Sequence, residues 1–254
     1  MSDAVIVKDI TKQFHNGTTS SKKKETNINN NSLFTALDNV SFTIKKSSTV
    51  VIGGANGSGK SVLMSIIAQL SNPTTGTVST DGRVGLIFQD TDTQILGETP
   101  EEDIAFGLKN TKVPKQKREK IIQDMIQKTG LSHRKGFPAR FLSGGEKRRL
   151  AVAGILAVEC PTIIFDEPYA NLDYEGVQQV NALICMLQRE QKTVIILTHE
   201  LEKCLALADH FLILYNGKLV FNGTPHEGLK QPLENWKIRN PLTKYSNSND
   251  LVWL

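Results

Sequence analysis

GGANGSGKS, Gly53 to Ser61, lies between two apolar runs, TVVI before it and VLMSIIAQL after it. From Gly54 it fits G-x-x-x-x-G-K-[ST], and a strand before with a helix after is the context this spacing requires. Glycine removes the Cβ that would keep successive backbone N–H groups from converging on phosphate oxygens. A helix opening near Gly59 adds its positive end. Lys60 is expected to bridge the β- and γ-phosphates as a point charge, and the Ser61 hydroxyl to ligand Mg²⁺. Gly54, Ala55, Asn56, Gly57, Ser58, Gly59, Lys60, Ser61 and Val62 are therefore the expected contacts to a nucleoside triphosphate. The bland alternative is a glycine-rich turn with an incidental lysine, which the flanking strand and helix argue against.

Working outward, short apolar runs alternate with helical segments from Thr49 onward, the βα pattern of a mainly parallel sheet. Four runs end on a polar element: VVIGG in the phosphate loop, VGLIF in Gln89, TIIF in Asp166-Glu167, and TVIILT in His199. Ligands of open α/β sheets bind beyond the carboxyl ends of the strands, where all four would meet. Any one of them could simply mark a strand end. Four groups suited to phosphate, magnesium and water point to one site. Asp166 is the expected Mg²⁺ partner, and Glu167 stands where it can orient and deprotonate water. Gln89 is expected to contact water or Mg²⁺, and His199 the γ-phosphate. Hydrolysis of a phosphoanhydride needs little beyond such positioning and charge stabilisation. A kinase should protect the phosphoryl group from water, so Glu167 favours an ATPase.

A second glycine element, LSGGEKRRLAVAG (Leu142 to Gly154), opens another helix. Ser143 with Glu146 reads as a capping box. That device does not call for two glycines in the first turn, where each costs roughly 0.5–1 kcal/mol against alanine. A helix start kept open for an anion accounts for Gly144 and Gly145.

The chain has 254 residues, 39% hydrophobic and 22% charged, with a formal charge of +4. These are globular values, and the dispersed basic residues give no argument for nucleic acid. Cys160, Cys185 and Cys204 show no paired spacing, which suggests a reducing compartment. The N-terminus reads as no signal peptide, and no run approaches the ~18 apolar residues of a spanning helix. His15 to Ser32 is polar and reads as a loop. Thr99-Pro100-Glu101-Glu102 reads as a helix start, with Glu98, Glu101, Glu102 and Asp103 complementing its dipole rather than binding metal. Asn216-Gly217 reads as a hairpin turn.

With these motifs in order, the chain resembles the ATP-binding cassette (ABC) ATPases over nearly its whole length. LSGGE is similar to the family signature, Gly54 to Ser61 to Walker A, TIIFDE to Walker B, Ala-Asn-Leu-Asp173 to the D-loop, Gln89 to the Q-loop, and His199 to the switch histidine. The resemblance implies an α/β P-loop NTPase cassette. It has a mixed, mainly parallel core sheet, an N-terminal antiparallel β subdomain, and a helical subdomain carrying LSGGE at about 98–160. The ATP-binding domain would span 1–225, with a polar insertion at about 16–32 and a tail at 226–254 whose role the sequence does not disclose. Two cassettes would pack head to tail, with Ser143, Gly144, Gly145 and Glu146, and Asp173 of the D-loop, facing the partner's ATP. The family's adenine-stacking aromatic corresponds best to Phe14. Tyr169 stands where threonine is common.

FQDTDTQILGETPEEDIAFGLKN, Phe88 to Asn110, looks like the corresponding segment of energy-coupling factor ATPases. That branch implies ATP and Mg²⁺, a second ABC ATPase as homodimer or paralogous heterodimer, an integral membrane coupling subunit, and a small membrane substrate-binding subunit. It places the chain at the cytoplasmic face of the membrane, powering uptake of a vitamin or transition-metal ion. The alternatives are the ATPase of another transporter branch, a soluble ABC ATPase of DNA repair or translation, and a non-enzymatic nucleotide-binding scaffold. A single Walker A without sustained heptads counts against the second, and Glu167 against the third.

Overall fold

The computed structural model describes residues 2–15, 33–244 and 247. The loop expected at about 16–32 and the end of the tail lie outside the described residues. The chain opens with β1 (Asp3–His15) and β2 (Leu33–Lys45), passes through β3 (Thr49–Gly53) and α1 (Lys60–Ile67), and returns as β4 (Thr75–Thr80) on the other side of β1. These outer strands form an antiparallel three-stranded sheet, β2-β1-β4, the expected N-terminal β subdomain.

The core sheet joins β3 to β5 (Val84–Ile87), β6 (Thr162–Asp166), β7 (Thr193–Thr198), β8 (His210–Tyr215) and β9 (Lys218–Gly223). Its order is β5-β6-β7-β3-β8-β9, parallel throughout except for the β8–β9 hairpin. The hairpin turns at Asn216 and Gly217, both at positive φ, as expected of an Asn-Gly turn. Every residue of β3 and β7 is buried, which is what a sheet covered on both faces requires. Alternate residues serve opposite layers. Val51, Val194, Ile196 and Phe165 face one cluster; Val50, Ile52, Ile195 and Leu197 face the other. Leu63, Ile66 and Ile67 of α1 are fully buried in the second cluster, each worth roughly 1.5–3 kcal/mol. That burial fixes α1, and with it the end of the phosphate loop.

The helical subdomain comprises α2 (Pro100–Asn110), α3 (Lys115–Lys128) and α4 (Gly144–Ala157). Thr99 caps α2 with Pro100 in its first turn. The acidic residues there serve backbone donors: Asp103 accepts from the amides of Leu96 and Gly97, Glu102 from Glu98, and Glu101 from Gly136. After its charged first turns α4 is apolar from Leu150 to Ala157, and that part belongs to two clusters at once. Leu150, Ala153 and Ala157 pack with Ile104, Leu108 and Ile122, while Ala151, Val152 and Ile155 pack on the sheet side with Phe165. The signature helix is thus the bolt between helical layer and sheet.

α5 (Tyr174–Arg189) covers the sheet through Val180, Leu183, Ile184 and Leu187. α6 (Pro225–Gly228) opens the tail, whose described part packs on the core: Leu233 and Ile238 are buried in the same cluster as Phe165. The three cysteines are free, with Cys160 and Cys204 buried. Among the described residues, no helix is long and apolar enough to cross a membrane.

Candidate functional site

The parallel order sets β5, β6, β7 and β3 side by side, so Gln89, Asp166-Glu167, His199 and the phosphate loop leave neighbouring strand ends together. Asn56, Gly57, Ser58, Gly59, Lys60, Ser61, Val62, Gln89 and Glu167 line one cavity of about 280 Å³. Gly54 and Ala55 are not in that lining; their carbonyls accept from Lys60 Nζ at 2.6 and 3.3 Å and so hold the lysine that is. Gly57 and Gly59 have φ of 78° and 105°, a backbone that L side chains rarely adopt. Gly59 caps α1 with no side-chain hydrogen bond, so the first amides of the helix remain as donors for the cavity.

Lys60 is almost fully buried, and its ammonium also meets Glu167 Oε1 at 3.3 Å. Glu167 Oε2 lies 3.0 Å from His199 Nδ1 and 3.4 Å from the His199 amide. Glu167 itself sits at φ 44°, a left-handed conformation costing on the order of 1–3 kcal/mol that persists only where its surroundings enforce it. Its amide is tied to Leu197 O at 2.8 Å. Asp166 behaves differently. Burial, then the neighbouring Glu167 charge, push its pKa up, against a hydrogen bond from Ser61 and the charge of Lys60. Its Oδ1 is buried with no protein partner among the described residues. Asp166 is not itself in the cavity lining, but it is hydrogen-bonded to Ser61, which lines the cavity together with Gln89, and these oxygen donors fit a hard divalent cation such as Mg²⁺.

Phe34 and Ala36 of β2 complete the lining, and sequence reasoning missed both. Phe14 does not line the cavity. It pairs in register with Phe34 and carries Lys12 Nζ 5.2 Å from its ring centroid. Directly paired residues share a face of the sheet, so strand position decides which phenylalanine reaches the cavity: β2 runs beside the loop, with Ala36 O 2.7 Å from where a Gly59 Cβ would stand, and β1 lies behind it.

A second cavity, about 480 Å³, is lined by Ser143, Gly144, Gly145, Asn171, Leu172, Asp173, Glu175, Gly176 and Gln179. It shares no residue with the first. Ser143 Oγ accepts from the Glu146 amide, and Glu146 Oε2 accepts from the Ser143 amide at 2.9 Å, the full capping box. Glu146 does not line this cavity. Its other oxygen takes Arg134 Nε at 2.7 Å and His133 Nε2 at 3.1 Å. Burial raises its pKa, but those hydrogen bonds and the Arg134 charge outweigh burial and hold it down at about 2. Nothing lies within 4 Å of where a Gly144 Cβ would stand, so that position opens onto the cavity. Gly145 answers to packing as well: its Cβ would lie 2.6 Å from Gln179 Oε1. Asp173 caps α5 through the Gly176 amide at 2.8 Å while lining the same cavity. Asn171 and Leu172 belong to the D-loop motif read from the sequence, whereas Glu175, Gly176 and Gln179 were not singled out; only their proximity to Asp173 hinted at them.

The ABC transporter family matches residues 37–170. The energy-coupling factor transporter ATP-binding protein EcfA1 of Mycoplasma mobile is 40% identical over 223 residues, 82% of this chain and 81% of that protein. The corresponding EcfA of Methanocaldococcus jannaschii is 36% identical, over 75% and 74% of the two chains. Among solved structures, cbiO1 of Clostridium perfringens, described as part of the ABC transporter complex cbiONQ, superposes with a TM-score of 0.77 at 28% identity, covering 94% of this chain and 97% of that one. A dimeric ATP-binding cassette in a post-hydrolysis state, bound to ADP and Pi, gives 0.71 at 25% identity, covering 87% and 98%. The motifs, their convergence at the strand ends and these relatives agree: the chain belongs to the ABC transporter family, in the branch of the energy-coupling factor transporter ATP-binding proteins.

Proposed function

We propose that this chain binds and hydrolyses ATP as one half of a head-to-tail cassette dimer that powers uptake of a vitamin or transition-metal ion across a membrane. The observation that carries the reading is the division of nucleotide-handling groups between two cavities without a common residue. The first has the cation, the open helix start and the carboxylate. The second has a braced helix start, two carboxylates in Asp173 and Glu175, and no lysine or arginine in its lining. It cannot neutralise a triphosphate alone. It suits closing over one already held by a partner.

In the first cavity the loop amides and Lys60 hold the phosphates. A phosphate oxygen arriving at Lys60 Nζ competes with Glu167 Oε1 for the same ammonium, 3.3 Å away, and releases that carboxylate oxygen toward water. Glu167 Oε2 stays anchored on His199, which orients the free oxygen to take the proton of the attacking water. Ser61, Asp166 and Gln89 would hold Mg²⁺, which when bound neutralises charge on the transferring phosphoryl group. Ser143, Gly144 and Gly145 close on the partner's γ-phosphate, so its loss by hydrolysis loosens the dimer. That difference in affinity between states drives the cycle.

The partners follow from the same reading: a second cassette, identical or paralogous, an integral membrane coupling subunit, and a small membrane protein that selects the substrate. The chain would sit at the cytoplasmic face. Phe88, Leu96 and Phe106, all in the segment that resembles the energy-coupling factor branch, are exposed large apolar side chains, which suits a docked subunit. The test is a tagged pull-down from detergent-solubilised native membranes with mass identification of everything retained. Recovery of a cassette ATPase, a coupling subunit and a small membrane binder supports the reading. Two large permeases would move the chain to another transporter branch, and a chain without membrane partners would overturn transport.

A further inference from the structure

Tyr169 stands two residues beyond the strained Glu167 and has no exposure to solvent. A tyrosine filling core volume needs no specific partner beyond a home for its hydroxyl. Here the hydroxyl donates to Asn181 Oδ1 of α5 at 2.7 Å, and Asn181 Nδ2 donates onward to Lys203 O at 2.8 Å. The Tyr169 side chain also touches the Cys204 thiol, and its ring is buried in one cluster with Ala151 and Val152 of α4. One side chain therefore meets the turn carrying Glu167, the helix capped by Asp173, the segment just past His199, and the signature helix.

That junction bears on Glu167 because the turn after it has few other restraints. Glu167 O accepts from the Ala170 amide at 3.2 Å, Tyr169 O accepts from Leu172 at 3.3 Å, and Asn171 is again left-handed at φ 58°. Two left-handed residues within five positions need an external clamp. The hydroxyl-to-Asn181-to-Lys203 chain supplies one, and it fastens the Glu167 turn to the same segment that carries His199, whose imidazole holds the Glu167 carboxylate.

We propose that Tyr169 is a positioning residue for ATP hydrolysis: through its hydroxyl, Asn181 and Lys203 O it locks the turn bearing Glu167 to the His199 segment and to the helix capped by Asp173. The proposal rests on the reading of Glu167 as the group that activates water. Because Tyr169 reaches the reacting atoms only through Glu167, its loss affects turnover and spares nucleotide binding, which belongs to the phosphate loop.

The test is Tyr169→Phe and Asn181→Ala, singly and together, in the full chain with its co-purifying partners, beside wild type and Glu167→Gln. Each single variant is expected to lower kcat about tenfold or more, since displacements on the order of 1 Å are costly in such sites. The KM for ATP should stay within about twofold, and the double variant should lose no more than the worse single one, as members of one network do. Unchanged kcat in Tyr169→Phe, equal losses in kcat and KM, or additive losses would each overturn it. If Tyr169→Phe fails to fold, Asn181→Ala decides on the same criteria, because it leaves the ring in place. Inactive wild type, or active Glu167→Gln, would instead indict the ATPase reading itself.

Discussion

The two glycine elements open helices of the same chain in opposite ways. At α1 the N-cap is Gly59, left-handed and without a side-chain bond, so the helix start is held by its buried apolar face and its amides stay available. At α4 the start is capped by Ser143 and by Glu146, which is itself anchored on Arg134 and His133. An uncapped start is completed by the ligand it binds, whereas a capped one is rigid beforehand and offers only what its open glycine leaves accessible. The first suits tight capture of a nucleotide. The second suits a weaker, reversible touch on a nucleotide held elsewhere, which is what a dimer that must reopen needs.

The largest effect should come from Glu167, the carboxylate that lines the first cavity and touches Lys60. Glu167→Gln should retain ATP binding and lose turnover by about 10³-fold, within the range of lost general-base catalysis. It should also trap a closed dimer, visible by size exclusion with ATP. Near wild-type turnover would remove Glu167 from its role. Lys60→Ala comes next, with a loss on the order of 10²-fold in kcat/KM, because a buried donor aimed at phosphate disappears. Binding and turnover both at wild-type level would break the assignment of this loop.

Gly145→Asp addresses the second element alone. It adds a carboxylate to a cavity already holding Asp173 and Glu175 and displaces Gln179, so anion approach is opposed by charge and by volume. Turnover should fall at least tenfold or so while the chain's own ATP affinity is kept, a split measured by nucleotide titration beside steady-state hydrolysis. Unchanged activity of the dimer would sink the shared-site reading.

Why these positions were legible in sequence is instructive. The phosphate loop, the Walker B pair and LSGGE each need particular residue types at fixed short spacing, so local sequence carries them. Phe34 was not legible, because which strand of the outer sheet runs beside the phosphate loop is set by contacts between residues far apart in sequence. Leu233 and Ile238 stand in the tail whose role the sequence does not disclose, yet both enter the core, through contacts with residues far away in the chain. Glu146 read correctly as a cap, but its partners Arg134 and His133 lie a helix-start away in the chain, so its turn away from the second cavity could not be read from LSGGE.

A paired substitution separates the elements at smaller scale. Gly59→Ala would place a Cβ 2.7 Å from Ala36 O in a left-handed backbone, so it should cost about 2 kcal/mol or more in stability as well as nucleotide binding. Gly144→Ala meets nothing within 4 Å, so the melting temperature should hold or rise, alanine being the better helix former by roughly 0.5–1 kcal/mol. Its turnover should still fall severalfold if an anion uses that opening. A Gly144→Ala protein with full turnover would mean that the opening is not used.

The smallest effect tests how the second element is braced. Glu146 is held at about pKa 2 against an ordinary 4.5, so its charged form favours the folded state. With a depressed pKa, the contribution is full above about pH 4.5 and fades as pH falls toward 2. Its upper limit at neutral pH is about 3 kcal/mol, and less in practice because Arg134 is partly exposed and screened. Glu146→Gln keeps an acceptor for the Ser143 amide, so the capping box survives while the charge-assisted bonds to Arg134 and His133 weaken. Urea unfolding at a series of pH values should show the variant less stable by about 1–2 kcal/mol at pH 7, with the gap closing between about pH 4.5 and 2. A gap that stays constant down to pH 2 would show that charge on Glu146 does not brace the signature helix, leaving hydrogen bonding alone to hold it open.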